Sequence, residues 1–287
     1  MNLQFLVSGL GLGSVYALSG VSLVVLYRAS GTLNFAIGAL GALGAHCAWT
    51  LLSLKYPAFL AIVASVVVAA AGSFLYGRFV APALSHRDRS VRAVSTLGFA
   101  LVLLGVMGLV WGETIPRRLT LPTDAAYVEL LSVRVTYTRI VALGLALATV
   151  GAIALLLFGT RIGLAMRSLA SDRELGGILG INTTRVDSIA WLISGAIAGA
   201  SGLLLGDLVR LQPSFLTFLV IPAVAAALLG GLTSLGGTIV GGLVIGVVEG
   251  MLTSFPELAS YRSAAPFLIA LLFVAVAGRS HSLRTSQ

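Results

Sequence analysis

The sequence predicts an all-α, polytopic transmembrane helical bundle. Of its 287 residues, 58% are hydrophobic and only 10% are charged, whereas about 25% of the residues in a soluble domain are charged. The mean hydropathy is +1.04, and successive apolar runs reach the length of roughly 20 residues that a membrane-spanning helix needs. These observations favour one transmembrane domain over residues 1–287, embedded in a lipid bilayer.

Nine apolar runs predict about eight or nine membrane segments. The seventh run is short for a full span, and the pairs Gly230-Gly231 and Gly236-Gly237 flank the turn that joins it to the eighth. These two runs are predicted to form either a short or re-entrant hairpin or one kinked unit, since irregular backbone is tolerated where protein buries it. In order, the runs cover residues 3–27, 33–54, 57–80, 93–112, 139–158, 188–209, 219–231, 235–252 and 264–277.

The placement of arginine and lysine predicts the orientation. Eleven of these residues fall on one side of the predicted bundle and seven on the other, and four of the seven lie in or beside the loop 113–138. Cytoplasmic loops carry an excess of Lys and Arg. Residues 81–92, the segment 160–187 and the C-terminus are therefore predicted to be cytoplasmic, and the N-terminus and the loop 113–138 to face outward.

A polar, Arg-rich segment at residues 160–187 separates two long apolar runs. Ser171 and Glu174 have the spacing of a capping box, in which two side chains satisfy free N–H groups at the start of a helix. Gly180 stands where such a helix would end, since glycine adopts the left-handed conformation without steric cost. The pattern predicts about two turns of capped helix on the membrane surface, suited to contact with a soluble partner.

Polar and ionisable side chains inside apolar runs are candidates for a translocation path. Glu249 is the clearest case, and either a pathway or gating role or a structural role at the interface fits its position. Asn34 is either a helix N-cap or part of a polar route together with Ser14 and Tyr16. We therefore take Ser14, Tyr16, Asn34 and Glu249 as the candidate path.

Glycines recur at four-residue spacing in the first and eighth apolar runs. Gly9 and Gly13 form one pair, and Gly242, Gly246 and Gly250 form a ladder. This spacing lets the backbones of two helices approach closely in lipid. Packing within the chain is the favoured interpretation, and a surface for a partner subunit or a moving gate is the alternative.

The sequence carries no motif for catalysis, ATP binding or metal binding. Lys55 is the only lysine, and the residues before it do not form a P-loop. Cys47 is the only cysteine, and the three histidines are scattered without the spacing of metal ligands. The arginines lie at the ends of apolar runs, which argues against nucleic-acid binding despite a net charge of +8. We expect no catalytic residue, metal or cofactor here, so any ATP drive must come from another subunit.

Five stretches of the chain resemble, in sequence order, bacterial branched-chain amino-acid permeases of the ABC importer class (the LivH type). The resemblance covers nearly the whole chain, and the polar segment and the late glycine-rich hairpin are its specific parts. The stretches are GLGLGSVYALSGVSLVVLYRASGTLNFAIGAL at 9–40, STLGFALVLLG at 95–105, GLAMRSLASDRELGGILGIN at 163–182, LLGGLTSLGGTIVGGLVIGVVEGML at 228–252, and the last apolar run, which ends at Gly278-Arg279.

The resemblance implies that the surface helix of the polar segment couples the chain to ATPase subunits. Leu175 and Gly176 stand where such loops usually carry two alanines, whereas the spacing from Glu174 to Gly180 is kept. In the first stretch, Ile37 stands where the family often has a histidine. The residues implied to take part in ATPase coupling are Asp172, Arg173, Glu174, Gly180, Ile181 and Asn182.

The resemblance also implies a permease subunit that works by alternating access in the bacterial inner membrane. Its partners would be a homologous second permease subunit, two cytoplasmic ABC ATPase subunits that bind the ATP, and a periplasmic solute-binding protein. The chain itself would not be an enzyme. A branched-chain or other small amino acid is the favoured solute, and related subunits handle urea or short amides.

Two other classes of protein stay open. An ATP-independent secondary transporter or channel for small polar solutes would need a proton or sodium site within its spans, for which only Glu249 and Asp207 are available. A non-transporting membrane scaffold is the third class. Stimulation of a partner ATPase by a solute-loaded binding protein separates the first class from both others.

Overall fold

A computed structural model describes residues 3–113, 117–124, 127–130 and 133–282. Its helices are α1 (Leu3–Ser30), α2 (Ile37–Ser53), α3 (Ala58–Leu75), α4 (Arg89–Trp111), α5 (Tyr137–Gly159), α6 (Arg161–Ser171), α7 (Arg173–Ile178), α8 (Thr183–Leu208), α9 (Pro213–Phe218), α10 (Val220–Leu229), α11 (Leu235–Thr253) and α12 (Ala265–Ser282). A π-helical turn, Tyr76–Val80, continues α3, and short 3-10 turns lie at Pro82–Leu84, Pro122–Asp124 and Ala259–Ala264.

Most residues of every predicted apolar run are helical, which confirms the prediction of a mostly helical polytopic bundle. Within the described ranges, six helices are long and apolar enough to cross a membrane: Gln4–Ser30, Ala58–Val80, Arg89–Trp111, Tyr137–Gly159, Thr183–Leu208 and Leu235–Thr253. Three shorter apolar segments accompany them: Ile37–Ser53, Pro213–Leu229 and Ala259–Ala275. The total of eight or nine membrane segments stays a prediction.

One feature of the loop 113–138 lies outside the predicted all-α class. Strands β1 (Tyr127–Leu130) and β2 (Val133–Thr136) form an antiparallel hairpin, in which Tyr127 lies opposite Thr136. The residues of β2, Val-Arg-Val-Thr, do alternate between apolar and polar, as a half-buried strand does, but the whole stretch 113–138 was predicted as a loop. The same loop is joined to the segment after α8 by a bridge between Arg117 and Leu211.

Helices α1 and α8 form the centre of the bundle. Of their most apolar windows, 89% and 72% are buried, compared with 22% for both α4 and α5. Many large hydrophobic side chains of α3, α4, α5 and the described part of α12 are exposed, as expected of helices that face lipid. The bundle thus places α1 and α8 where their polar side chains are shielded from the bilayer.

Helix α1 packs antiparallel against α11 through the predicted glycines. A Cβ atom on Gly246 would lie 2.3 Å from the Cα of Gly13, and one on Gly9 would lie 2.5 Å from the carbonyl oxygen of Gly246. These distances leave no room for a side chain, so the glycines permit the close approach. The favoured interpretation, packing within the chain, agrees with this contact.

The seventh and eighth apolar runs form a helical hairpin. The first arm bends at Leu219 between α9 and α10, and α11 is the second arm. Gly231 and Leu232 take positive φ angles of 62° and 60° in the turn between the arms. The second arm is long enough to cross a membrane, whereas the first is among the shorter segments.

Candidate functional site

A cavity of about 880 Å³ lies at one end of the bundle, where the beginning of α1 meets the ends of α8 and α11. This is the end that the arginine count predicts to face outward, and the cavity is called the Glu249 cavity below. Its volume falls in the range of about 300–1,000 Å³ that is usual for small-molecule sites. Aromatic and aliphatic side chains form much of its wall, including Phe5, Leu12, Phe215, Phe218 and Phe267.

Tyr16 and Glu249 meet in the wall of this cavity. The Tyr16 hydroxyl donates a hydrogen bond of 2.9 Å to Oε2 of Glu249, and the two residues are only 3% and 7% exposed. A buried carboxylate without a partner would be costly, and the tyrosine supplies one donor. The close packing of α1 on α11 brings the two side chains within reach.

Three arginines also line the Glu249 cavity. Arg139 comes from the first turn of α5, Arg210 follows α8, and Arg262 lies in the 3-10 turn before α12. The Arg210 guanidinium stacks 4.4 Å from the ring centre of Phe215. Among the described residues that line the cavity, Glu249 is the only carboxylate, so cationic groups outnumber it.

None of these three arginines was among the predicted path residues. The sequence did contain a signal that they lie near Glu249: all three are at the predicted outer ends of spans, on the same side as Glu249. Because the spans pack together, the three arginines at their outer ends line one cavity. Guanidinium groups suit carboxylates because they donate two parallel hydrogen bonds.

The other two members of the candidate path lie elsewhere. The Ser14 hydroxyl is fully buried and donates to the carbonyl oxygen of Gly11 at 2.7 Å. The Asn34 carboxamide is fully buried near the opposite end of α1, and its oxygen accepts the N–H of Ala36 at 2.9 Å. That bond lies just before α2 begins at Ile37, so Asn34 shapes the entry to the helix, while Ala36 holds the N-cap position. Neither side chain lines the Glu249 cavity.

At the opposite end of the bundle, the polar segment forms two helices rather than one. Thr160 caps α6, since its hydroxyl accepts the N–H of Gly163 at 3.0 Å. The predicted capping box of Ser171 and Glu174 is wrong, because Ser171 is the last residue of α6 and Glu174 is the second residue of α7. Asp172 caps α7 instead, and its Oδ1 accepts the N–H groups of Glu174 and Leu175 at 3.0 Å each. Aspartate is as good an N-cap as serine, so the sequence alone did not separate the two neighbours.

Helix α7 ends as the sequence predicts. Gly180 has a φ of +84°, and the N–H of Ile181 donates to the carbonyl oxygen of Gly176 at 3.1 Å. Asn182 then caps α8, with its side-chain oxygen accepting the N–H of Arg185 at 2.9 Å. The predicted coupling residues thus fix the start and end of α7 and the start of α8.

Three aliphatic side chains at α7, including that of its C-cap residue, Leu179, are exposed. Leu175, Ile178 and Leu179 are 53%, 83% and 71% exposed. On its other side, Gly176 is buried under Leu169 of α6. Exposed aliphatic side chains set among polar residues are typical of a surface that binds a protein or a membrane.

No group of three or more His, Cys, Asp or Glu side chains in the described part of the chain is placed to hold a metal ion. The two candidate functional surfaces are the Glu249 cavity at one end of the bundle and the exposed aliphatic side chains at α7 at the other.

Comparison with known proteins adds to this geometry. Residues 5–277 match the family described as branched-chain amino acid transport system / permease component. The chain is 26% identical to the high-affinity branched-chain amino acid transport system permease protein LivH of Escherichia coli (strain K12), over 96% of this chain and 93% of that protein. It is 29% identical to the corresponding permease protein BraD of Pseudomonas aeruginosa, over 86% of this chain and 85% of that protein.

Two more distant similarities are found. The ribose import permease protein RbsC of Escherichia coli (strain K12) is 24% identical over 92% of this chain and 82% of its own length. The solved structure of PsaBC from Streptococcus pneumoniae in complex with Fab superposes with a TM-score of 0.48 at 15% identity, covering 96% of this chain and 89% of that one. Because the family match spans nearly all of the sequence, this chain belongs to the family of branched-chain amino acid transport system permease components.

Proposed function

We propose that this chain is the membrane-spanning permease subunit of an ATP-driven importer for branched-chain or other small amino acids. The single observation that supports the ATP-driven part is an exposed aliphatic surface between the spans α5 and α8, formed by Leu175 and Ile178 of α7 and by its C-cap, Leu179. Such a surface needs a soluble partner to cover it, and the permease family supplies the class of partner. The single lysine lies outside any P-loop, so the partner must bind the ATP.

The proposed partners are a homologous second permease subunit, two cytoplasmic ABC ATPase subunits and a periplasmic solute-binding protein. The proposed location is the bacterial inner membrane, with the N-terminus outside and the C-terminus in the cytoplasm. In this orientation the Glu249 cavity opens toward the binding protein and α7 toward the ATPases. Asp172, Arg173, Glu174, Gly180, Ile181 and Asn182 form the proposed coupling element.

The proposed mechanism is alternating access. ATP binding closes the ATPase pair, and the pair carries α7 with it. Because α7 is linked through α6 to α5 and directly to α8, a rigid-body shift of α7 tilts both spans. Their opposite ends border the Glu249 cavity at Arg139 and Leu208, so the shift changes access to the solute.

Polar groups in the cavity suit a zwitterionic solute. Leaving the charges of an amino acid unpaired in an apolar passage costs several kcal/mol or more. Glu249 offers an acceptor for an ammonium group, and Arg139, Arg210 and Arg262 offer donors for a carboxylate. Selectivity would reside largely in the binding protein, so this cavity needs only low affinity.

An ATP-independent secondary transporter is the second candidate, favoured by the burial of Glu249 in a cavity. A buried carboxylate is the kind of group that carries protons or holds sodium in such transporters. Proteoliposomes that contain the permease pair, with and without the ATPase subunits, separate the two functions. We expect uptake of radiolabelled leucine only with the ATPases, ATP and the binding protein. Leucine uptake driven by a proton or sodium gradient without ATPases would overturn the main proposal.

A further inference from the structure

Helix α7 is attached to the spans by the chain on both sides, by the packing of Gly176 on Leu169 of α6, and by a polar contact with α8. It contains only six residues, Arg173–Ile178, and its exposed aliphatic face points away from the bundle. The half-buried Ile181 packs against the core just beyond it. A polar contact joins α7 to α8: Nη2 of Arg173 donates a hydrogen bond to Oδ2 of Asp187, and the two side chains form an ion pair. Asp187 lies in the second turn of α8.

Asp187 does not face Arg173 alone. Arg92 of α4 lines the same small cavity, of about 20 Å³, together with Asp187 and Arg173. Nη1 of Arg92 donates to the carbonyl oxygen of Ser30 at 3.2 Å and to the hydroxyl of Thr32 at 3.3 Å. Arg92 therefore holds the end of α1, the helix whose other half carries Tyr16.

The three charges form an incomplete network. Oδ1 of Asp187 and Nε of Arg92 are buried, and within the described part of the chain neither has a hydrogen-bond partner. One carboxylate oxygen of Asp187 is thus bonded to Arg173, and the other is buried without a bond. Asp187 therefore shares a small cavity with two guanidinium groups and is paired with one of them, Arg173.

The surroundings of this cluster are rigid. Trp191, one turn after Asp187 on α8, is 1% exposed and its ring lies 4.8 Å from that of Tyr76, centre to centre. Both aromatic residues line the same small cavity. Because these side chains are closely packed, a displacement of the carboxylate should move the backbone of α8 instead of only rearranging neighbouring side chains.

We propose that Asp187 is the positioning residue that couples α7 to the spans, by holding Arg173 of α7 on one side and facing Arg92 of α4 on the other. A movement of α7 would then move α8 through Asp187, and it would move the end of α1 through Arg92, which is bonded to Ser30 and Thr32. The inference rests on the proposed ATP-driven function, because it concerns the path from the ATPases to the spans.

The test uses the whole complex in proteoliposomes, with radiolabelled leucine as the probe. Leucine uptake and phosphate release are measured in the same vesicles, so that the uptake per ATP hydrolysed is known. We expect Asp187→Asn to retain its ATPase subunits and to hydrolyse ATP within about twofold of wild type, while uptake per ATP falls by about tenfold. Asp187→Glu, which restores the charge, should recover most of the ratio.

Two comparisons separate coupling from general damage. Asp88→Asn makes the same chemical change at the start of α4, where the side chain is exposed and makes no capping hydrogen bond, and should leave the ratio unchanged. Arg173→Gln should lower the ratio as Asp187→Asn does, and the double variant should be no worse than either single one, since both remove one interaction. If Asp187→Asn loses its ATPase subunits, the uptake per ATP of Arg173→Gln alone tests the coupling role of the Arg173–Asp187 pair.

The outcomes are distinguishable from failure of the proposed function. Wild-type uptake that needs no ATP would overturn the proposed function itself. ATP-dependent wild-type uptake, with an unchanged ratio in Asp187→Asn and Arg173→Gln, would overturn the coupling role of Asp187 and leave the proposed function standing. An equal fall of the uptake per ATP in Asp88→Asn would also overturn the coupling role of Asp187.

Discussion

Tyr16 and Glu249 are 233 positions apart in the sequence and share a buried hydrogen bond of 2.9 Å. The bond crosses the interface of α1 and α11, which approach closely because glycines line both helices. It also places the only carboxylate among the described lining residues beside the space that a solute would enter. Packing and candidate function therefore depend on the same pair of helices.

Replacing Tyr16 with Phe removes the donor and leaves the Glu249 carboxylate buried. Loss of one partner of a buried hydrogen bond costs about 1–3 kcal/mol, so the free energy of unfolding should fall by that amount. Thermal unfolding of the detergent-purified chain measures the change. Tyr56→Phe, at an exposed tyrosine, serves as the control. Equal stability of the two variants would show that the Tyr16 bond contributes nothing.

Replacing Glu249 with Gln distinguishes the two candidate functions. The amide oxygen of glutamine still accepts a hydrogen bond from Tyr16, but the side chain no longer takes up or releases a proton. In the ATP-driven importer we expect leucine uptake within about fivefold of wild type, still dependent on the ATPases. In a proton-coupled transporter the same change should abolish uptake and its pH dependence, which is the result that would contradict our proposal.

Replacing Gly180 with Val should uncouple the complex. The φ of +84° is strongly disfavoured for a β-branched residue, so the end of α7 must rearrange. ATP-driven leucine uptake should fall severalfold while the ATPase subunits still co-purify. Gly177→Ala is the control, because no atom lies within 4 Å of the added Cβ and its φ is not in the left-handed region. Normal uptake in Gly180→Val would exclude α7 as the coupling element.

The sequence predicted those parts of the molecule that depend on local pattern. Each apolar run became helix because hydropathy and length are properties of a single segment, and Gly180 could be placed because the end of a helix has its own chemistry. The cap of α7 was misplaced by one residue, from Asp172 to Ser171, since both residue types cap helices. Asp172 is the cap because its backbone is extended, with φ of −147°. That conformation depends on where α6 ends, which the sequence did not show.

Contacts between segments were harder to predict. The glycine ladder of α11 was evident, but only the structure shows that Gly246 meets Gly13. Likewise, Arg139, Arg210 and Arg262 lie on different elements, and no pattern within one element indicates that they share a cavity. Ser14 and Asn34 were grouped with Tyr16 because they are polar within neighbouring runs. Their hydrogen bonds to nearby backbone show why polarity alone did not place them at the cavity.

Single cysteines can test the proposed orientation, in a Cys47→Ala background. Ser85 and Ser171 are exposed at the α7 end, whereas Glu257 is exposed near the Glu249 cavity. An impermeant thiol reagent should label cysteine only at position 257 in intact cells, and at all three positions after the membrane is opened. Thr123 is a weaker external reporter, because it is half-buried and its hydroxyl bonds to Thr138. Labelling of position 171 in intact cells would reverse the orientation and remove α7 from the ATPases.

The packing of α1 on α11 predicts one further result. A methyl group at Gly246 would lie 2.3 Å from the backbone of Gly13, so Gly246→Ala must push the two helices apart. Overpacking of this kind usually costs about 1–3 kcal/mol, and separation of the helices would also lengthen the bond from Tyr16 to Glu249. We therefore expect both a lower unfolding temperature in detergent and reduced leucine uptake. Gly236→Ala adds the same group to the same helix with no atom within 4 Å, and it should change neither quantity. Equal stability of the two variants would show that α1 and α11 do not approach through these glycines.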